Sequence, residues 1–269
     1  MDDVIKIENM SFAYGNNQIF NDFNLVFKRG SWTALIGPNS GGKSTLFKIL
    51  MGELKHQGTV LLDGQALTDN NHAEYYKKIY LLNENPDDKF ISETVQDEIA
   101  FVLENKRKTA DEITETINEI AEKLNIKHLL NKSPYQLSGG EKQIVCIAAM
   151  LAHEPEVVLM DETLNRIDFA QKNEIMALID KLRQEKNLTI ITITHNLEEI
   201  IGADSIVVLD QGKIVLKGAT EKVFAEEKIL NRLGVEIPFM VSLSLKLKYY
   251  NLIDEIETDM DKMVKKIWL

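Results

Sequence analysis

"SWTALIGPNSGGKSTLFKILMG", residues 31–52, decides the fold. Its first part is a short apolar run that stops at Gly37, and its last part carries helix formers up to a second stop at Gly52. This spacing predicts a buried strand, a glycine-bearing loop and a helix. The loop, "GPNSGGKST" from Gly37 to Thr45, matches G-x-x-x-x-G-K-[ST] in that strand-loop-helix setting. Glycines let the backbone curl until successive N–H groups point inward at phosphate oxygens, and the helix start adds partial positive charge. Lys43 can then reach terminal phosphates, and the Ser44 hydroxyl can ligate Mg²⁺. A chance glycine-rich turn is the bland alternative. The motif by itself does not separate a kinase, a GTPase, a helicase or a transporter motor.

Upstream, "DDVIKIENMSFAY" and "NDFNLVFKRG" alternate apolar and polar residues as half-buried strands do, which predicts an antiparallel opening. Downstream, "TADEITETINEIAEKLNI" puts Ile113, Ile117, Ile120 and Leu124 on one helical face, with Thr109 and Glu112 spaced as a capping box. "EVVLMDE" and "LTIITITH" are short, β-branched and almost wholly apolar, as strands covered on both faces of a parallel sheet are. Between them a helix is predicted with Ile175, Leu178, Ile179 and Leu182 on one stripe. The first of these strands delivers Asp161 and Glu162 at its C-terminal end, the edge where α/β sheets bind ligands. Asp161 is suited to a Mg²⁺ shell and Glu162 to polarising a water as general base. An exposed acidic pair is the alternative. His195 ends the second strand, where it could bond a γ-phosphate or be no more than a satisfied polar residue.

A second loop of similar look, "LSGGEKQ" from Leu137 to Gln143, precedes the apolar stretch "IVCIAAMLA". Ser138, Gly139 and Gly140 would then sit at a helix N-terminus as an anion site with free N–H groups and a hydroxyl, or as a simple helix cap. The chain has 269 residues, 44% hydrophobic and 27% charged, which argues against disorder and membrane embedding. A formal charge of -11 disfavours broad nucleic-acid binding. The single cysteine, Cys146, excludes an internal disulfide and reads as a buried small hydrophobe, consistent with a reducing cytoplasm. No run approaches the ~20 apolar residues of a spanning helix, and "MDDVIKIENM" has no signal-like pattern, so neither membrane crossing nor export is expected.

The order "GPNSGGKST", "LSGGEKQ", "VVLMDE", "TITH" resembles the ATP-binding cassette (ABC) ATPases over most of residues 4 to 224. The resemblance implies an α/β P-loop nucleotide-binding domain with an antiparallel β subdomain and a helical subdomain at about 85–155, followed by a C-terminal helical extension at 225–269. It implies ATP and Mg²⁺ as cofactors. ATP phosphates would meet Asn39, Ser40, Gly41, Gly42, Lys43, Ser44 and Thr45, with Tyr14 stacked on adenine. Ser44 and Asp161 would hold the metal, while Glu162 and His195 would be catalytic. In that family the signature loop of one subunit closes on the ATP held by another, so Ser138, Gly139, Gly140 and Glu141 would complete a neighbour's site. Asp168 in "NRID" would match the aspartate that communicates across the interface.

"NENPDDKFISETVQDEIAFVLEN" and "LNRLGVEIPFMVSLSLKLK" look like the ATPase subunits of energy-coupling factor (ECF) transporters, prokaryotic importers of vitamins and trace nutrients. That likeness implies a peripheral subunit on the cytoplasmic face of the membrane, paired with a homologous ATPase. It further implies a transmembrane scaffold docking near Pro86, Asp87 and Asp88, and a separate substrate-binding membrane subunit. The tail would help the ATPases dimerise, with Met260, Met263, Val264 and Ile267 on one face. Two departures stand out. Glu84 replaces the usual glutamine at a position that contacts metal and water; its carboxylate can still ligate Mg²⁺ and take part in catalysis, but its charge close to the γ-phosphate tilts the expectation toward a retuned, slower site in a heterodimer. Thr163, Leu164, Asn165 and Arg166 replace the commoner small and proline-containing run. Another importer type, or a soluble ABC ATPase uncoupled from transport, are the alternatives. A chromosome-organising head is disfavoured because residues 46 to 136 hold no long coiled coil. A ribosome-associated ABC protein is disfavoured by the single phosphate loop.

Overall fold

The computed structural model describes residues 2–68, 70–165, 167, 169–257 and 260–268. The chain begins with β1 (Asp3–Tyr14), β2 (Asn17–Lys28), β3 (Trp32–Ile36), α1 (Lys43–Leu50), β4 (Gln57–Leu62) and β5 (Gln65–Ala66). Next come α2 (His72–Lys78), β6 (Ile79–Leu82), α3 (Val95–Asn105), α4 (Ala110–Lys123), α5 (Gly139–His153), β7 (Val157–Asp161) and α6 (Phe169–Lys186). It closes with β8 (Thr189–Ile193), β9 (Ser205–Asp210), β10 (Lys213–Ala219), α7 (Thr220–Phe224), α8 (Glu227–Arg232), α9 (Phe239–Tyr249) and α10 (Met260–Trp268).

Among the described residues the strands make two sheets, ordered β2-β1-β4-β5 and β10-β9-β3-β8-β7-β6. The first is antiparallel, as the alternation at the start of the chain predicts. In the second, β6, β7, β8, β3 and β9 run parallel, and β10 pairs antiparallel to β9. Every residue of β3 and β8 is buried, because this sheet is covered on both faces. Trp32, Ala34, Ile36, Val158, Met160 and Ile190 face one core with Ile99, Ile117, Val145, Ile175 and Ile179 from α3, α4, α5 and α6. Leu35, Val157, Leu159, Ile191 and Ile193 face the other, with Phe20, Phe23 and Phe27 of the antiparallel sheet and Leu46 and Phe47 of α1. Each such side chain contributes roughly 1.5–3 kcal/mol on burial. The buried Trp32 indole N–H donates to Thr192 Oγ1 at 3.0 Å, tying β3 to β8, whereas the Gln143 side-chain amide in α5 is buried with neither its oxygen nor its nitrogen paired among the described residues.

The helices between β6 and β7 begin as the sequence dictates. Thr109 caps α4 reciprocally with Glu112, and Cys146 lies buried in α5 with its thiol pushed up to about 12 by desolvation. At the C-terminal end, Leu230 and Val241 join the helical-side core, and Ser244 Oγ donates to the Glu257 carbonyl at 2.6 Å. The stripe expected on α10 is divided. Met263 is buried, whereas Met260, Val264 and Ile267 are 48%, 45% and 39% exposed. No helix among the described residues is long and apolar enough to cross a membrane.

Candidate functional site

Parallel strands put all their C-terminal ends on one edge, and neighbouring strands lie ≈ 4.8 Å apart. The order β3-β8-β7-β6 therefore brings side by side the loop after β3, His195 after β8, Asp161 and Glu162 at the end of β7, and Glu84 shortly after β6. Register fixes the alignment: Leu35 pairs with Ile193, Asp161 with Ile193, and Leu82 with Met160.

The loop after β3 turns where only glycine fits. Gly37 has φ +131°, and a Cβ there would lie 2.0 Å from the Leu209 carbonyl oxygen. Asn39 to Gly41 make a 3-10 turn, with the Gly41 amide donating to the Pro38 carbonyl at 2.9 Å. Gly42 precedes α1 without a side-chain cap, so no side chain competes with an anion for the first-turn amides. Lys43 is buried, and its Nζ donates to the carbonyls of Gly37 at 2.7 Å and Pro38 at 2.9 Å. Burial holds its pKa below the ordinary lysine value, opposed by Glu162 and Asp161. Ser44 is exposed, and Thr45 is half-buried one position further along α1. Ser44, Glu84 and Asp161 line a cleft of about 430 Å³. A second cleft of about 350 Å³ runs from Gly37, Pro38 and Asn39 past His195 to Leu233–Glu236. Tyr14, at the end of β1, is 45% exposed and edge-on to Phe12 at 4.8 Å.

The carboxylates are not equivalent. Burial, then Glu162, then Glu84 raise Asp161 from its ordinary 3.8 to about 6, against the pull of Lys43. Glu162 adopts φ +50°, its N–H donating to the Ile193 carbonyl at 3.0 Å. Its Oε1 lies 3.2 Å from His195 Nε2, and its Oε2 accepts from Asn165 Nδ2 at 2.7 Å. An oxygen donor set of Ser44 and Asp161, with Glu84 at hand, fits a hard divalent cation that takes one or two carboxylates plus substrate phosphates. The charge crowding that raises Asp161 points the same way.

That crowding has a measurable sign. The folded carboxyl titrates near 6 and the unfolded one near 3.8, so the folded chain holds more proton between them and loses stability as pH rises through that window. In the nucleotide-free protein, Asp161→Asn therefore raises the melting temperature at pH 7 to 8, and the two curves converge below pH 4. Equal melting temperatures at pH 7 would refute the crowding.

The second glycine loop lies elsewhere. Ser138 is the N-cap of α5: its hydroxyl accepts from the Glu141 amide at 3.3 Å, and Glu141 Oε2 accepts from the Ser138 amide at 2.8 Å. The helix-cap alternative is thus present: the capping box engages the Ser138 backbone N–H as donor and its hydroxyl oxygen as acceptor, while the hydroxyl keeps its own O–H donor. The backbone N–H of Ser138 holds the Glu141 carboxyl below its usual range. A Cβ on Gly140 would lie 2.1 Å from Oε1 of Gln171, the end of a flexible side chain on α6. Neither cleft beside the phosphate loop is lined by Ser138, Gly139, Gly140 or Glu141. Lys142 Nζ reaches Asp87 Oδ1 at 2.7 Å, joining α5 to the segment of Pro86, Asp87 and Asp88. Asp168 and Arg166 lie outside the described residues.

Sequence reasoning left Thr163, Leu164 and Asn165 as unexplained departures. Thr163 is buried and donates to the Leu82 carbonyl at 3.0 Å, tying β7 to β6; Leu164 is buried in the core; Asn165 holds Glu162. Reasoning from the chain also missed Glu199 and Lys172. The available signal was Asn196 two residues before Glu198, the spacing of the cap that starts the short 3-10 turn carrying Glu199.

Comparison with known proteins gives a consistent picture. Residues 20–165 match the family model described as "ABC transporter". The chain is 35% identical to the energy-coupling factor transporter ATP-binding protein EcfA1 of Lactobacillus delbrueckii subsp. bulgaricus, over 99% of this chain and 97% of that protein. It is 35% identical to the energy-coupling factor transporter ATP-binding protein EcfA of Pediococcus pentosaceus, over 100% of this chain and 98% of that protein. Among solved structures it is similar to cbiO1 from Clostridium perfringens, described as part of the ABC transporter complex cbiONQ. The TM-score is 0.79 at 29% identity, covering 90% of this chain and 99% of that one.

Proposed function

Because the chain belongs to the ABC transporter family, within it to the energy-coupling factor transporter ATP-binding proteins, we propose that its ATPase activity drives uptake of vitamins or trace micronutrients, metal ions included. The observation that carries the catalytic part is the strand order that sets Lys43, Glu162 and His195 at one sheet edge. The amides from Gly41 to Thr45 and the Lys43 ammonium bind and orient the phosphates. Lys43 exchanges its two carbonyl partners for phosphate oxygens, so that the positive end of α1 and the ammonium meet the developing charge. Glu162 takes the proton of the attacking water, and His195 holds the carboxylate on the phosphate side. A Mg²⁺ held by Ser44 and Asp161 supplies charge neutralisation when bound.

The capped Ser138 turn serves the ATP of a second, homologous subunit. Its supports are its absence from both clefts beside this chain's own phosphate loop and the similarity to relatives named as transporter subunits. The exposed Met260, Val264 and Ile267 fit the packing of that pair. Ile91, Phe101 and Tyr135, exposed by 65%, 44% and 62%, and the turn of Pro86, Asp87 and Asp88, of which Pro86 is buried, support docking on a hydrophobic membrane scaffold and a peripheral position on the cytoplasmic face. Closure of the dimer would move that surface through the Lys142–Asp87 link. The test is co-purification from membranes with a hydrophobic scaffold and a second ATPase, together with turnover that falls on dilution to monomer. An isolated monomer with full turnover would remove the shared site.

Glu84 adds negative charge where the γ-phosphate sits, and repulsion there is strong in a partly desolvated site. Glu84→Gln accordingly raises turnover of the assembled complex, and a rate equal to or below the parent's removes the idea that Glu84 slows hydrolysis. A slowed site is also why pairing with a less divergent subunit is favoured over a homodimer.

A further inference from the structure

His195 stands on a polar anchor that the reading above does not use. Its ring is open to the cleft, with half of the side chain exposed and Nε2 at 3.2 Å from Glu162. The residues on either side of it are fastened beneath. Thr194 Oγ1 donates to Glu199 Oε2 at 2.8 Å, and Asn196 Nδ2 donates to Glu199 Oε1 at 3.4 Å. The Asn196 amide donates to Thr194 Oγ1 at 3.0 Å, closing a small ring of bonds around the His195 backbone. Glu199 itself is 6% exposed, and Lys172 Nζ, on α6, donates to its Oε1 at 3.0 Å. Leu197 and Ile200, both buried, hold the short helical turn carrying Glu199 against the core.

A carboxylate this deep costs several kcal/mol to desolvate and persists only when its lone pairs are filled and its charge is matched. Two neutral donors, Thr194 Oγ1 and Asn196 Nδ2, and the Lys172 ammonium do that here. The apolar environment would be served as well by a leucine, so the structural role alone does not call for a charge. What the charge adds is direction: two backbone positions bracketing His195 are fixed relative to Lys172 in the first turn of α6, four residues beyond Asp168 in the chain. A rotation of His195 by an ångström at its ring would misplace the groups around Glu162, and misplacement on that scale can cost about 10²-fold in rate.

We propose that Glu199, paired with Lys172, is the positioning residue for His195, coupling the start of α6 to the orientation of the histidine in the hydrolytic step. The inference rests on the ATPase reading of the site. Glu199 lines neither cleft beside the phosphate loop; it acts through Thr194 and Asn196.

The experiment measures steady-state ATP hydrolysis and thermal stability of the assembled complex carrying Glu199→Gln, Lys172→Met or both. Each single variant lowers kcat by about 10- to 100-fold with KM for ATP changed less than about twofold. Lys172→Met also lowers the melting temperature by stranding a buried carboxylate, and the double variant recovers stability because no unmatched charge remains. The positioning role requires that the double variant regain stability without regaining kcat. It also requires that Glu199→Gln cost nothing further in a His195→Ala background with residual turnover. Recovery of kcat together with stability, a KM that moves as much as kcat, or independent effects of Glu199→Gln and His195→Ala would overturn it. Wild type and Glu162→Gln run alongside. If wild type shows no ATP hydrolysis, the reading of the site fails and the inference with it; if it hydrolyses ATP and the Glu199 variants match it, only the inference fails.

Discussion

Replacing Glu162 with Gln lowers site-specific ATP turnover by roughly 10²- to 10⁴-fold, the range a general base contributes, while ATP binding is retained. The geometry makes the substitution a clean one. Gln keeps the size of the side chain, and the backbone at φ +50° stays pinned by the amide bond to the Ile193 carbonyl at 3.0 Å. Its amide oxygen can still accept from Asn165, but the side chain can no longer take a proton from water. The measurement is single-turnover hydrolysis in a complex whose partner site is inactivated, beside equilibrium nucleotide binding. An unchanged single-turnover rate would remove Glu162 from the role of base.

The second large effect falls on binding. Lys43→Ala weakens ATP affinity by roughly 10²-fold or more, because charge-assisted hydrogen bonds contribute about 1.5–3 kcal/mol each and 1.4 kcal/mol is tenfold. The ammonium is buried against the carbonyls of Gly37 and Pro38, a position from which it can turn to phosphate without being recruited from solvent. Lys43→Arg does not restore affinity, since a planar fork does not enter the space of a compact ammonium. Isothermal titration with a non-hydrolysable ATP analogue checks both variants. Wild-type affinity in Lys43→Ala would mean that the loop amides alone hold the phosphates.

Elements with strictly local causes were legible from the chain. Gly37 ends β3 and, with Gly52, brackets the loop and α1 because turn chemistry is written in consecutive residues, and Thr109 with Glu112 announced the start of α4 for the same reason. The two-sided burial of β7 and β8 was visible in their unbroken apolar runs. Less could be seen of short strands such as β6, a four-residue piece that no periodicity separates from its surroundings. The split of the α10 stripe, Met263 inward and Val264 outward, depends on what the helix lies against, which a hydrophobic pattern does not state.

The chemistry of the individual parts, a phosphate loop, a carboxylate pair and a histidine at strand ends, was determined by the sequence alone, because a backbone cradle and a strand terminus need only a few adjacent residues. Their assembly was decided only in three dimensions. Leu82, Met160 and Ile193 are far apart in the chain, and the pairing of β6, β7 and β8 in that order is what gathers Glu84, Glu162 and His195. The same folding put Asn165 on Glu162, and Glu199 with Lys172 beneath His195, contacts that depend on the packing of α6 and of one buried turn against the core.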